Sequence, residues 1–329
     1  MTWFETITGF PEESPAQVRE NITVDRQTLT SHANGKAFVY GELETPTLAE
    51  LRQRVHASGH KSGEISVREV VANVQDLHTN ASNAGSLFQV ASQFNLLEMV
   101  SPDVTPERGV GIYERDRTQG PACAIAAGAG TIYRNYFAIV NGQTGQSANN
   151  QIDCLADIGA ALRNTNSRLW EMRNGYALCT QSGLVEIAHR LQASSESELD
   201  RLRELLRIGI QWNTQVTLND SQHTVSQAYC SALPVAYSHH PSHLWAAFAR
   251  LILEAAYEAT ICTAILNAMR RGSNRLFLTL LGGGAFGNET SSIIGAIQRA
   301  LRLYKDGELD VAIVSYGSPN PYVQQLVNQ

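Results

Sequence analysis

RLFLTLLGGGAFGNETSSIIGAIQRA, residues 275–300, is the stretch that decides the fold. An apolar strand, 276–281, runs directly into Gly282, Gly283, Gly284, Ala285, Phe286, Gly287 and Asn288, and a helix, 289–304, follows at once. A strand feeding a helix through such a turn is the unit of open α/β sheets, which bind ligands at the carboxyl ends of their strands. Glycines let backbone N–H groups approach phosphate oxygens, and the helix adds its positive end. No Lys-Ser or Lys-Thr follows the glycines, and no βαβ unit with a ribose-binding acid comes after, so the turn is neither a P-loop nor a dinucleotide fingerprint. A tight connection without a ligand is the other reading of the composition.

Working outward, 310–314 (DVAIV) reads as a last strand. Residues 241–270 form a long helix with Leu244, Phe248, Leu251, Leu253 and Ala255 on a broad buried face. SESELDRLRELLRI, 195–208, acidic early and basic late, is a well-capped helix. Further strands are expected at 36–41, 64–74, 214–218 and in part of 225–236, and helices at 47–58, about 121–130 and 151–164. LFQVASQFNLLEM, 87–99, fits either state. This alternation predicts an α/β fold with helices on both faces of the sheet. The polar, Pro-containing residues 1–35 read as an irregular arm with one short helix near 14–20, and 36–329 as a single elaborated domain.

Composition narrows the classes. A 43% hydrophobic and 17% charged chain of 329 residues can bury a full core. A net charge of −6 with interspersed signs offers no basic stripe for nucleic acid. The five cysteines, Cys123, Cys154, Cys179, Cys230 and Cys262, lack CxxC spacing, which argues against disulfides and zinc and suits a reducing compartment. MTWFETITGFPEESPAQ shows no signal peptide, and no apolar stretch reaches the ~18 residues of a membrane span. The expectation is a cytoplasmic protein with no membrane partner; delivery into a host cell, as with bacterial effectors, is left open.

A second informative region is 83–120, NAGSLFQVASQFNLLEMVSPDVTPERGVGIYERDRTQG. Gln89, Ser92, Gln93 and Asn95 stand among apolar residues, where amides need partners: a ligand, or the backbone of a loop. A helix with a polar face would give the same pattern. The nearby carboxylates are Glu98, Asp103, Glu114 and Asp116. Asp116 ranks first because TQGP follows and could lock its loop; Glu114 is second, Glu98 third, and Asp103 reads as a turn residue. A solvated surface turn is the plain alternative for any of them.

The string LTLLGGGAFGN, followed by a helix and DVAIV, resembles the second ligand loop and last strand of macrodomains. It looks closest to the poly(ADP-ribose) glycohydrolase-like branch, whose loop reads Gly-x-Gly-x-Phe-Gly-Asn. The first loop departs from that branch: it has no GGG, and FQVASQFNLLE carries the single Glu98. FQVASQFNLLEM, YERDRTQGPACA and GGGAFGN taken together are similar to the macrodomain family of Legionella effectors and their relatives, hydrolases of ADP-ribosylated arginine, including ADP-ribosylated ubiquitin. The resemblance implies a macrodomain-like mixed sheet and an ADP-ribosyl hydrolase acting on an ADP-ribosylated protein, with ADP-ribose as ligand or product and no cofactor or metal required. It places residues 282–288 around the diphosphate, and Tyr316, in SYGSPN, against adenine. Phe88, Gln89, Ser92, Gln93, Asn95 and Gln119 would enclose the distal ribose. Asp116, with Glu114 or Glu98, would position water and stabilise an oxocarbenium-like state. A non-catalytic reader of ADP-ribose and an unrelated nucleotide enzyme with a convergent turn are the alternatives.

Other signals carry less. Pro241 interrupts the HHxxH pattern of His239, His240 and His243, which reads as a helix entry. Cys230 reads as strand packing, Glu254 and Glu258 as a solvated helix face, and no GxSxG occurs.

Overall fold

The computed structural model describes residues 1–60 and 62–328. Its centre is a seven-stranded mixed sheet. The strands are β1 (Glu42–Glu44), β2 (Ser66–Val71), β3 (Leu87–Ala91), β4 (Gly209–Gln215), β5 (Thr224–Cys230), β6 (Arg275–Leu278) and β7 (Asp310–Ser315). Their spatial order is β1-β4-β5-β3-β6-β7-β2. The five strands from β5 to β2 are mutually parallel, whereas β4 runs antiparallel to both neighbours. The ambiguous 87–99 stretch resolves into β3 followed by a turn. Its burial on both faces, from Leu87 to Val90, is what a central parallel strand requires.

The main helices are α1 (Leu48–Ala57), α2 (Gln119–Ala126), α3 (Gly128–Tyr136), α4 (Ser242–Arg271) and α5 (Thr290–Leu303). One layer gathers α1, α5 and the helices Gln181–Ala193 and Glu196–Glu204 around α4. By length and composition α4 could cross a membrane, yet 89% of its apolar window lies buried inside the fold, so it serves here as a core helix. Its Glu254 and Glu258 are not solvated: both are buried. Arg203 and Arg250 pair with Glu254, and Arg52 and Arg299 with Glu258. Three other elements thereby clamp α4, and a lone partner removed from such a cluster would strand a buried charge at a cost of roughly 3–5 kcal/mol.

The helix expected at 121–130 is broken at Ala127, with φ −116° and ψ 58°. The cause is Thr217, whose N–H donates to the Ala126 carbonyl at 2.8 Å and whose hydroxyl accepts from the Gly128 N–H at 2.9 Å. Both helix ends thus find partners across the break. The helix expected at 151–164 shrinks to Ala156–Ala161. Upstream of it, Gln151 and Ile152 are held by side chains of Asn95, Asn174 and Gln146 rather than by helical bonds.

Residues 1–35 differ most from expectation. They are not an irregular arm: Trp3–Thr8 and Pro15–Asn21 are capped helices, and Ile22–Asp25 and Thr28–Ser31 pair in a three-stranded antiparallel sheet with Ala37–Val39. Phe4 and Val18 are fully buried in a second apolar cluster with Tyr113, Ile132 and Tyr136. All five cysteines are free and buried.

Candidate functional site

β3 and β6 pair only through Leu87–Leu276 and Phe88–Phe277. Beyond them the strands part toward their carboxyl ends. Gln89 spans the gap, its Oε1 accepting from the Thr279 N–H at 3.3 Å and its Nε2 donating to the Thr260 hydroxyl at 3.0 Å. The Gln89 carbonyl and Ala91 N–H, which a neighbouring strand would have used, are met by the amide of Gln119 at 2.8 Å each. One side chain therefore stands in for a strand. Gly120 lets α2 come that close: a Cβ there would lie 2.0 Å from the Ala91 carbonyl oxygen and 2.3 Å from Glu98 Oε2.

The parting of the strands opens a cleft at the carboxyl edge of the sheet, the usual ligand position in parallel α/β folds. It contains two adjoining cavities. The smaller, about 210 Å³, is bordered by Glu98, Asp116, Gly282, Gly284, Tyr176 and Tyr237 among others. The larger, about 820 Å³, is bordered by Trp3, Asn73, Glu114, Val314 and Tyr316. Asp116, Thr118, Gln119, Thr279 and Gly284 border both and form the waist between them.

The glycine turn supplies one wall. Gly282 has φ +74°, and a Cβ on it would lie 2.5 Å from that of Ala232, so the position demands glycine twice over. The turn closes on itself through the Gly283 N–H to Leu280, the Gly287 N–H to Gly284 and the Asn288 N–H to Gly282. Tyr257 fixes its base, donating to the Thr279 carbonyl at 2.7 Å and accepting from the Leu281 N–H at 2.8 Å. The N–H groups of Gly284, Ala285 and Phe286 meet no acceptor among the described residues, and all three residues border the smaller cavity. Such a row of free donors just before a helix suits an anion.

Opposite lies Glu98, 3% exposed, with its Oε1 lacking any hydrogen-bond partner. Burial pushes this carboxyl well above the usual carboxylate range; the Ser92 hydroxyl and the charge of Arg134 pull it back, and Asp116 adds to the rise. The Glu98 N–H donates to the Tyr113 hydroxyl at 3.0 Å, and the Tyr176 hydroxyl donates to the Met99 carbonyl at 2.6 Å, so the acid is pinned on both sides. Asp116 is half-buried, and its Oδ1 accepts from the Thr118 N–H at 2.9 Å. Glu114 is exposed at the edge of the larger cavity, accepting from the Trp3 N–H at 3.3 Å. The arrangement sets a buried carboxyl, whose protonated form burial favours, beside one that is open to solvent.

The structure brings together Ser92, Gln93, Glu98, Asp116, Gln119, Gly282, Gly284, Ala285 and Phe286 around the smaller cavity, and Glu114 and Tyr316 around the larger. It sets others apart. Phe88 is stacked in the core between His78 and Phe277. The Gln89 side chain is used between strands, and Asn95 bonds Gln151 and the Leu97 N–H inside its own turn. Gln119 borders the cavity, but its amide belongs to β3. Gly283 and Gly287 shape the turn, and Asn288 is buried, donating to the Leu233 carbonyl at 2.8 Å. In Cys230, burial pushes the thiol up to about 11, as packing rather than nucleophilic chemistry requires. His240 turns to the Cys179 carbonyl, and no metal-holding cluster occurs among the described residues.

Two residues escaped the sequence reading. Tyr176 and Tyr237 pack with Phe286 at ring distances of 5.1 to 5.5 Å and roof the smaller cavity. Tyr176 arrives on the hairpin Trp170–Arg173 and Tyr176–Cys179, and an Asn-Gly turn at 174–175 was its only local signal.

No family model matches the chain, and no curated protein matches it by sequence. Among solved structures it is similar to the poly(ADP-ribose) glycohydrolase of Thermomonospora curvata, at 11% identity over 95% of this chain and 96% of that one, with a TM-score of 0.46. It is likewise similar to the poly(ADP-ribose) glycohydrolase of Deinococcus radiodurans in complex with ADP-ribose, at 11% identity over 95% and 93% of the two chains, with a TM-score of 0.45.

Proposed function

We propose that this protein binds ADP-ribose and hydrolyses the glycosidic bond joining an ADP-ribosyl group to its carrier. The observation that carries the reading is the pairing of free N–H groups at Gly284, Ala285 and Phe286 with the buried carboxyl of Glu98 around one cavity. A diphosphate at the glycine turn would take those donors and the positive end of α5, equivalent to about half a charge. From that waist the two arms of ADP-ribose have distinct destinations. The distal ribose enters the smaller cavity beside Glu98 and Asp116, and the adenosine enters the larger one beside Trp3 and Tyr316.

The chemistry then follows from the two environments. Glu98, proton in place, donates to the departing group as the glycosidic bond breaks. Asp116, reached by solvent, takes a proton from the water whose oxygen bonds to the anomeric carbon. General acid–base help of this kind is worth roughly 10²–10⁴ in rate. A reader that only binds ADP-ribose has no use for a buried carboxyl next to a diphosphate, whose charge would repel it once ionised. The resemblance in sequence extends the proposal to arginine as the modified side chain, to protein carriers such as ubiquitin and to a reaction without a metal, and the free thiols suit a cytoplasmic setting.

The test is calorimetric titration with ADP-ribose, using AMP and NAD as controls, followed by release assays with EDTA present on ADP-ribosyl-arginine protein and on poly(ADP-ribose). Binding with release supports the hydrolase, and the preferred substrate decides the linkage. Binding without release on either substrate leaves a reader, and absence of ADP-ribose binding ends the proposal.

A further inference from the structure

Besides Trp3 at the larger cavity, the segment 1–35 meets the site's surroundings through a carboxylate. Glu12 Oε1 accepts from the Val110 N–H at 2.9 Å and from the Tyr136 hydroxyl at 2.6 Å, while Oε2 accepts from the Gly111 N–H at 2.6 Å. Glycines make room for it: a Cβ on Gly109 would lie 2.5 Å from Glu12 Oε2, and one on Gly111 2.8 Å from it. The Trp3 indole N–H adds a bond to the Val110 carbonyl at 3.1 Å. Both backbone groups of Val110 are therefore tied to the N-terminal segment.

What this anchors is a short turn, Gly111–Arg115, with consequences at both carboxyl groups of the smaller cavity. Tyr113 of that turn receives the Glu98 N–H on its hydroxyl. The Tyr113 carbonyl accepts the Asp116 N–H at 3.0 Å as the chain leaves the turn. Glu12 touches neither cavity, yet one turn of backbone connects it to Glu98 in one direction and to Asp116 in the other.

We propose that Glu12 is a positioning residue that sets the 110–116 turn, and through it the relative placement of Glu98 and Asp116. The inference rests on the hydrolase reading for its kinetic consequence, and on the hydrogen bonds alone for its structural one. The glycine turn that would bind the diphosphate makes no bond to Glu12, so binding and turnover should separate.

The experiment uses the full chain with Glu12→Gln, which keeps the shape but presents an amide N–H₂ where an acceptor is needed. Turnover should fall by about tenfold or more while the ADP-ribose Kd stays within about twofold, a split that general destabilisation would not give. Amide exchange at 110–116 should quicken by about tenfold with the rest of the chain unchanged. Should Glu12→Gln fail to fold, Tyr136→Phe, which removes the hydroxyl bond to Glu12 Oε1 and keeps a ring, should give the same split in weaker form. Unchanged turnover, or turnover and affinity falling together with exchange rising throughout, would overturn the proposal. If the wild-type protein neither binds nor releases ADP-ribose, the function falls, and the exchange measurement still decides the anchoring.

Discussion

Two connections leave neighbouring strands of the sheet and face each other across the cleft, and they treat polar groups in opposite ways. The turn after β6, residues 279–288, closes on its own backbone and leaves the N–H groups of Gly284, Ala285 and Phe286 free. The turn after β3, residues 92–99, uses nearly all it has: Asn95 and Gln93 bond the N–H groups of Leu97 and Met99, and the Ser92 hydroxyl sits between the Leu97 carbonyl and the Glu98 carboxyl. Among the buried side-chain polar atoms of this turn, the unmet one is Glu98 Oε1. Polar density in a sequence is thus a poor guide to ligand contact. The polar-rich turn is largely self-satisfied, and the turn made of glycine, alanine and phenylalanine holds the open donors.

If that contrast is right, the largest effect belongs to the one unmet group of the β3 turn. Glu98→Gln, nearly isosteric, should lower single-turnover release by roughly 10²–10⁴ while ADP-ribose still titrates. Turnover close to wild type would reduce Glu98 to a packing residue and leave Asp116 alone.

The glycine turn offers an internal comparison of intermediate size. Gly282→Ala, forced to a positive φ and against Ala232, should lose roughly 1–3 kcal/mol of stability in a denaturant titration, and ADP-ribose affinity with it. Gly284→Ala meets nothing within 4 Å and should stay within about 0.5 kcal/mol of wild type. Equal losses at both would mean that the turn is not held in the conformation described.

The smallest effect is a dependence on pH. Glu98 binds its proton more tightly in the fold than in the unfolded chain, so the native state carries the extra proton. Its stabilising contribution is complete below the ordinary Glu value near 4.3 and declines as pH climbs toward the raised folded value. Melting temperatures from about pH 4 to about pH 7 should therefore show Glu98→Gln gaining on wild type as pH rises. A constant difference would mean that the carboxyl titrates normally.

These contrasts explain what could be read from the chain. The α/β character, the strand–glycine–helix unit and the long helix at 242–271 are local patterns, and all were legible. The weight of Glu98 was not, because its burial depends on Tyr113 and on the missing side chain of Gly120, neither visible as a partner in one dimension. Asp116 looked stronger because TQGP follows it and could lock its loop. Phe88 and Gln89 were drawn toward the ligand because a central strand buried on both faces offers no alternation to say which way a side chain points. The N-terminal segment looked irregular because its strands are four residues long and its anchor, Glu12, bonds a turn about a hundred positions away.

The five sheltered thiols give the protein a clock. Cys123 lies on α2 against Gln119, Cys230 ends β5 with its carbonyl accepting the Ser92 N–H, Cys262 rides on α4, and Cys154 and Cys179 belong to the 150–180 region. A thiol reagent can mark each only when its own neighbourhood opens, so the order of labelling would rank these regions by how readily they breathe. Occupation of the cleft should slow Cys123 and Cys230 first and leave Cys262 ticking at its former rate.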